Sequence, residues 1–341
     1  MKAWRLGAWG GDLRLEDVAD PVPADGEVLV QVEACGVGLT VLNCIRGDLG
    51  HDPADLPRTP GHELVGRIVQ TGPGVPAERA GELVTAYFYL FCGRCPSCLG
   101  GSEPLCRNMA GYVGVDRDGG YAELAALPSR NALVLPAGLD PVAATVVADA
   151  VATPVHVARR AGLRPGDRVA VVGAGGGVGI HMVQVARLHG AHVLGLDVSP
   201  AKLGHLEGEL GIEVRDSTDF EAVALPPGWE GRCDVVVDFV GRPPTLAWAL
   251  SVLGEGGRLV TLTTFAGVEM VASPRDLVLR QIAVLGSRYA GRHEVDLAAR
   301  LVAAGDVRPV IGGQVKAAEV EVLHEQLRDG SLLGRGVMTW R

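Results

Sequence analysis

Cys92, Cys95, Cys98 and Cys106 are separated by two, two and seven residues in one short stretch rich in glycine and proline. That spacing lets four thiolates converge on a single ion. A tetrahedral Zn²⁺ with Zn–S bonds of about 2.3 Å needs tight turns between its ligands, and Gly93, Pro96, Gly100, Gly101 and Pro104 supply them. Such a shell is closed, so it staples the loop and does no chemistry. The competing reading, free or disulfide-bonded cysteines, fits poorly with a chain that opens without a signal peptide and is expected in a reducing cytoplasm. A second constellation lies downstream, where Val169-Ala170-Val171-Val172 runs into Gly173-Ala174-Gly175-Gly176-Gly177-Val178-Gly179, then a helical stretch Ile180 to His189, then a strand ending at Asp197. Glycines there let backbone approach a pyrophosphate. The helix N-terminus offers unpaired N–H groups, and Asp197 can accept from a ribose diol. The turn holds one residue more than the six-residue glycine fingerprint, and an empty tight turn is the alternative. No arginine follows Asp197 to meet a 2′-phosphate, since Val198 and Ser199 come next, so NAD(H) is expected over NADP(H). Lys202 is read as a solvated helix charge.

The elements around these motifs divide in two. Glu27 to Ala34 alternates like a half-buried strand, and short β-rich pieces continue to about Leu135. Beyond Pro141 an Ala/Val-rich helical stretch, Ala143 to Ala161, leads through Arg164-Pro165-Gly166-Asp167 into the strand Arg168 to Val172. From there strands near His192 to Leu196, Asp234 to Val240 and Gly257 to Leu262 alternate with helix-length pieces, the pattern of parallel βαβ units. The last segment, from about Ser287, shows a helical stretch near Val295 to Ala304. At 341 residues the chain is long for one core, so two domains are expected. A net charge of −9 argues against nucleic acid or anionic membrane as the partner and leaves small molecules. No run approaches the roughly 18 uninterrupted apolar residues of a membrane span.

Gly61-His62-Glu63 followed by Gly66, Gly72 and Val75, then the four-cysteine loop, then Gly119-Gly120-Tyr121-Ala122-Glu123, then the glycine turn, resembles the zinc-containing alcohol dehydrogenases of the medium-chain dehydrogenase/reductase superfamily along nearly the whole chain. The resemblance implies an α/β protein. A GroES-like β-rich catalytic domain, residues 1–150 with a zinc lobe at 90–108, would clasp a Rossmann doubly wound parallel sheet, residues 151–286, with 287–341 returning to the catalytic domain and substrate in the cleft between. It also implies a homodimer or homotetramer.

Members of that family hold a catalytic zinc through a cysteine, the histidine of the Gly-His-Glu motif and a later cysteine, aspartate or glutamate. His62 and Asp149 match two of those places, and Glu63 is a candidate third ligand. The first ligand is missing, because Cys35-Gly36-Val37-Gly38-Leu39-Thr40-Val41 puts Gly38 where the thiolate belongs. Restoring it with Gly38→Cys is expected to raise metal affinity. Cys44 and His51 lie close enough in sequence to substitute, although core cysteine and loop histidine are their simpler readings. Asn43 stands where some members have a relay histidine, and Thr40 keeps the hydroxyl that passes the substrate proton. Asp149 is the lone charge between Pro141 and His156, and a buried carboxylate needs a partner, whether a metal or a hydrogen bond. Phe88, in Tyr87-Phe88-Tyr89-Leu90-Phe91, matches a place that lines the substrate cleft, with core packing as the alternative.

Three functions compete on this sequence. The first is NAD(H)-dependent interconversion of an alcohol and its aldehyde or ketone, at a zinc site lacking its thiolate. The second is a reductase of enones or quinones that keeps only the structural zinc. The third is a non-catalytic NAD-binding protein.

Overall fold

The protein is described by a computed structural model covering residues 1–50, 52–264 and 267–340. It divides into two compact units. The first holds Met1–Asp149, Ala290–Gly305 and the stretch from Ile311 onward, and the second holds Ala150–Tyr289 and Asp306–Val310. The return to the first unit therefore falls at Ala290, three residues past the expected 287, and a short excursion at 306–310 goes back to the second.

The first unit is built on a seven-stranded sheet. Along its path lie Ile311–Lys316, Arg335–Thr339, Glu27–Val37, Glu63–Thr71, Leu83–Ala86 and Ala132–Val134, with Leu124–Pro128 also pairing with Glu27–Val37. All neighbours are antiparallel except the first pair. Alternation along Glu27–Val37 sends Val28, Val30 and Val32 into a core with Leu64, Ile68 and Val84. This strand is long, central, and carries two glycines, Gly36 and Gly38, at or just past its C-terminal end.

The second unit is a six-stranded parallel sheet ordered Glu213–Asp216, His192–Asp197, Arg168–Val172, Cys233–Asp238, Leu253–Thr261, Ala283–Gly286. The first strand in sequence is central. The chain winds outward on one side and then returns to start the other, which puts the switch point of the sheet at the carboxyl ends of Arg168–Val172 and Cys233–Asp238. Nearly continuous apolar strands, among them Ala170, Val172, Leu194, Leu196, Val236 and Leu259, form the core, as a sheet covered on both faces requires.

The expected continuous helix from Ala143 to Ala161 is broken. Pro141–Ala144 is one helical turn, Val147–Val151 is a π turn, and Ala152–Ala161 is α-helix. Pro154 offers no N–H to the carbonyl four residues back, which frees the backbone to widen there. The π turn carries Asp149. Pro141–Ala161 is also the one segment among the described residues long and apolar enough to cross a membrane, but 72% of its apolar window is buried in the fold.

Candidate active site and metal centre

The cysteine loop converges as its spacing requires. Sγ atoms lie 3.5 Å apart for Cys95 and Cys98, and 3.9 Å apart for both Cys92–Cys98 and Cys95–Cys106. A tetrahedron with bonds of about 2.3 Å has edges of about 3.8 Å. Gly93 and Gly101 turn the backbone at φ +75° and +70°. Hydrogen bonds from the amides of Arg94 and Cys95, helped by Cys106 and Asn108, lower the Cys92 thiol to about 6, the thiolate character a metal ligand needs. These residues fit zinc, and no cysteine is in a disulfide.

The glycine turn is shaped by close approaches. Gly173 sits at φ +78°, and a Cβ on Gly179 would lie 2.1 Å from the Gly173 carbonyl oxygen, so the helix Gly179–Leu188 can start against the turn only without a side chain there. A Cβ on Gly175 would lie 2.5 Å from Lys202 Cβ, so the Lys202 stem packs on the turn. Gly176, Gly177 and Val178 complete the turn. His181 ties down its last part, with Nε2 accepting from Val310 N at 3.1 Å and Nδ1 lying 2.8 Å from the Gly177 oxygen. These contacts make a tight cradle of backbone at the helix N-terminus, the kind of place that receives a pyrophosphate.

Asp197 closes this cradle. Its Oδ2 accepts from Gly175 N at 2.9 Å, and its Oδ1 accepts from Val198 N at 2.9 Å and Ser199 N at 3.1 Å. Three backbone amides therefore depend on it. Asp197→Ala is expected to weaken NADH binding at least tenfold and also to cost about 1–3 kcal/mol of stability. Fluorescence titration and thermal unfolding measure the two effects, and an unchanged affinity refutes the ribose role.

His62, Glu63 and Asp149 meet in the first unit, where each offers a ligand atom within 4.8 Å of the others. His62 Nε2 is 3.6 Å from Glu63 Oε1 and 3.8 Å from Asp149 Oδ2. Phe88 packs on the imidazole, centroid to centroid 4.5 Å, and stacks on Tyr112 at 5.1 Å. Thr40 lies half-buried in the helix Leu39–Arg46, whose start is Gly38. Of the two candidate substitute ligands, Cys44 does not join them. Cys44 Sγ donates to the Gly114 carbonyl at 3.1 Å, and His51 lies outside the described residues.

A fourth side chain, not singled out from the sequence, fills the middle of the cluster. Arg335 Nε donates to Glu63 Oε2 at 2.8 Å and Nη2 donates to Asp149 Oδ2 at 2.6 Å. It is buried, as are Glu63 and His62. Burial opposes the guanidinium charge, yet Glu63 and Asp149 together hold it above its ordinary value. Burial pushes the Glu63 carboxyl up, against the pull of Arg335 and His62. Glu63 Oε1 is left without a hydrogen-bond partner. A signal for Arg335 was present in sequence, since it is the lone charge between Leu332 and Met338.

This donor set does not fit the zinc that the resemblance implies. The thiolate is absent, both carboxylates already bond a guanidinium, and a divalent cation would stand beside that fixed positive charge.

Residues 24–137 match the profile of the alcohol dehydrogenase GroES-like domain and residues 177–304 that of the zinc-binding dehydrogenase family. Over 326 residues, 95% of this chain and 96% of the relative, the chain is 31% identical to an acryloyl-coenzyme A reductase of Metallosphaera sedula. It is also 31% identical to an alcohol dehydrogenase of Geobacillus stearothermophilus, over 99% of this chain and 98% of the relative. The chain belongs to the alcohol dehydrogenase-like medium-chain dehydrogenases/reductases. It is an oxidoreductase. Among solved structures, AibC superposes with a TM-score of 0.90 at 32% identity, covering 99% of this chain and 95% of that one. A cobalt- and zinc-bound thermostable alcohol dehydrogenase of Pyrobaculum aerophilum superposes with a TM-score of 0.89 at 31% identity, covering 99% of each.

Proposed function

We propose that this chain transfers hydride from NADH to a carbon–carbon double bond conjugated to a carbonyl, and that its zinc is confined to the four-cysteine lobe. The observation that carries this reading is Arg335 between Glu63 and Asp149, which gives the site a built-in cation in place of a metal. The name of the Metallosphaera relative, an acryloyl-coenzyme A reductase, lends support to the substrate class.

Bound NADH would supply the hydride from its nicotinamide. The residues of this chain do the rest. Gly173, Gly175, Gly176, Gly177, Val178 and Gly179 hold the pyrophosphate, with Asp197 on the adenosine ribose. His62 and Thr40 donate hydrogen bonds to the substrate carbonyl oxygen, which stabilises the enolate charge that forms when hydride adds to the β-carbon and the π pair moves toward oxygen. A proton drawn from solvent then reaches the α-carbon, leaving a saturated carbonyl compound and NAD⁺. Phe88 supplies an apolar wall beside His62. Assembly as a homodimer or homotetramer belongs to the same proposal, and light scattering measures it.

A second reading, interconversion of an alcohol and its carbonyl at a zinc held by His62, Glu63 and Asp149, is favoured by the unpartnered Glu63 Oε1 and by the relatives named alcohol dehydrogenases. Turnover of NADH or NAD⁺ with enones, enoyl thioesters, aldehydes and alcohols, with and without a chelator, separates the two. Reduction of enones or enoyl thioesters that survives chelation is expected. Chelator-sensitive turnover of alcohols and aldehydes alone overturns the proposal, and tight NADH binding without turnover on any class would establish the non-catalytic reading.

A further inference from the structure

Gly36 and Gly38 leave two gaps side by side, because residues two apart on a strand share a face. From one side, the register places Glu63 opposite Gly36. From the other, Gly336 faces Val37, which brings Arg335 abreast of Gly38. The two long side chains reach over the missing ones and meet above the central strand. A Cβ on Gly36 would lie 2.4 Å from Glu63 Oε2, and a Cβ on Gly38 would lie 2.3 Å from Arg335 Nη1 and 2.8 Å from its Cζ. The contact at Gly38 involves the guanidinium itself, pinned at both carboxylates, so it cannot swing away without breaking bonds to Glu63 and Asp149.

We infer that Arg335 is the resident cation of this site and that Gly38 is the residue that admits it, so the His62–Glu63–Asp149 cluster takes no second zinc. A cysteine at 38 and a guanidinium in its present place exclude each other. The expectation that Gly38→Cys alone would strengthen metal binding is thereby corrected: the new Sγ would enter occupied space beside a positive charge that already bonds both carboxylates. No other thiol answers for it among the described residues, since Cys35 is buried with its Sγ 3.6 Å from the Gly36 carbonyl oxygen and Cys44 bonds to Gly114. Arg335 is a positioning residue in this scheme. It orients Asp149 and Glu63 around His62, and it sets the charge of the cluster that the substrate carbonyl meets.

The inference deepens the metal-free reading above, but its test needs no substrate. The full-length protein is saturated with Zn²⁺, desalted and assayed for metal by mass spectrometry, alongside Gly38→Cys and the pair Gly38→Cys with Arg335→Ser. Expected are about one zinc per chain for the parent and for Gly38→Cys, and about two for the double variant. Loading with Co²⁺ should add a second set of thiolate charge-transfer bands only in the double variant. Two zinc ions in the parent, a second ion in Gly38→Cys with Arg335 intact, or a folded double variant that still holds one ion each overturn the inference. If the double variant does not fold, the parent's count decides. Failure of enone reduction with one zinc in the parent would count against the proposed function and leave the role of Arg335 standing.

Discussion

Cys106→Ser is expected to reduce the zinc content of the purified protein from about one ion per chain to nearly none and to lower its melting temperature by more than ~10 °C. The physical reason is that the cysteine-bearing turns of the lobe from 90 to 108 have little regular structure of their own. Its secondary structure amounts to one helical turn, Pro96–Leu99, and one 3₁₀ turn, Glu103–Leu105, and Leu99 and Leu105 are exposed. Apparent binding energies of about 10–16 kcal/mol for four-ligand structural zinc exceed what such turns supply, and losing one thiolate forfeits a large share. Cys44→Ser serves as the control, because Cys44 lies outside the cluster and its hydroxyl can still donate to the Gly114 carbonyl. Metal analysis and a thermal scan on both variants check this. A Cys106→Ser protein that keeps its zinc and its melting temperature would show that the four sulfurs do not share an ion.

The cysteine loop and the glycine turn were legible in sequence for the same reason: each is local, and the spacing of a few residues dictates which atoms can converge. The parallel sheet was legible because buried strands read as apolar runs separated by helix-length pieces. The cluster around His62 was legible only in part. Asp149 announced that it needed a partner, and Gly38 announced that a ligand was gone, but the side chain that answers both lies 186 residues from Asp149 and 272 from Glu63. That juxtaposition is created by sheet register, when Arg335–Thr339 pairs with Glu27–Val37, and no periodicity in the chain encodes it. The π turn at Val147–Val151 escaped for a different reason. An Ala/Val-rich run reads as unbroken helix, and Pro154 acts on a carbonyl one turn before itself.

Arg335→Leu should destabilise the protein by about 3–5 kcal/mol, because it takes the guanidinium from the buried Glu63 and the partly buried Asp149 while keeping a side chain of similar volume. Arg335→Lys should recover only part of that loss, since a single ammonium cannot span two carboxylates that the guanidinium reaches through separate nitrogens, Nε and Nη2. Adding Glu63→Gln to Arg335→Leu should restore stability relative to Arg335→Leu alone, whereas Glu63→Gln by itself should destabilise. That sign reversal is the signature of a coupled pair, and urea unfolding of the four proteins measures it as a double-mutant cycle. Additive effects would mean that the guanidinium does not neutralise Glu63. A metal in that position predicts the opposite dependence on zinc: the Arg335→Leu protein would then gain stability when Zn²⁺ is added, whereas a resident guanidinium predicts that only a variant that both lacks Arg335 and carries a new thiolate at position 38 does so.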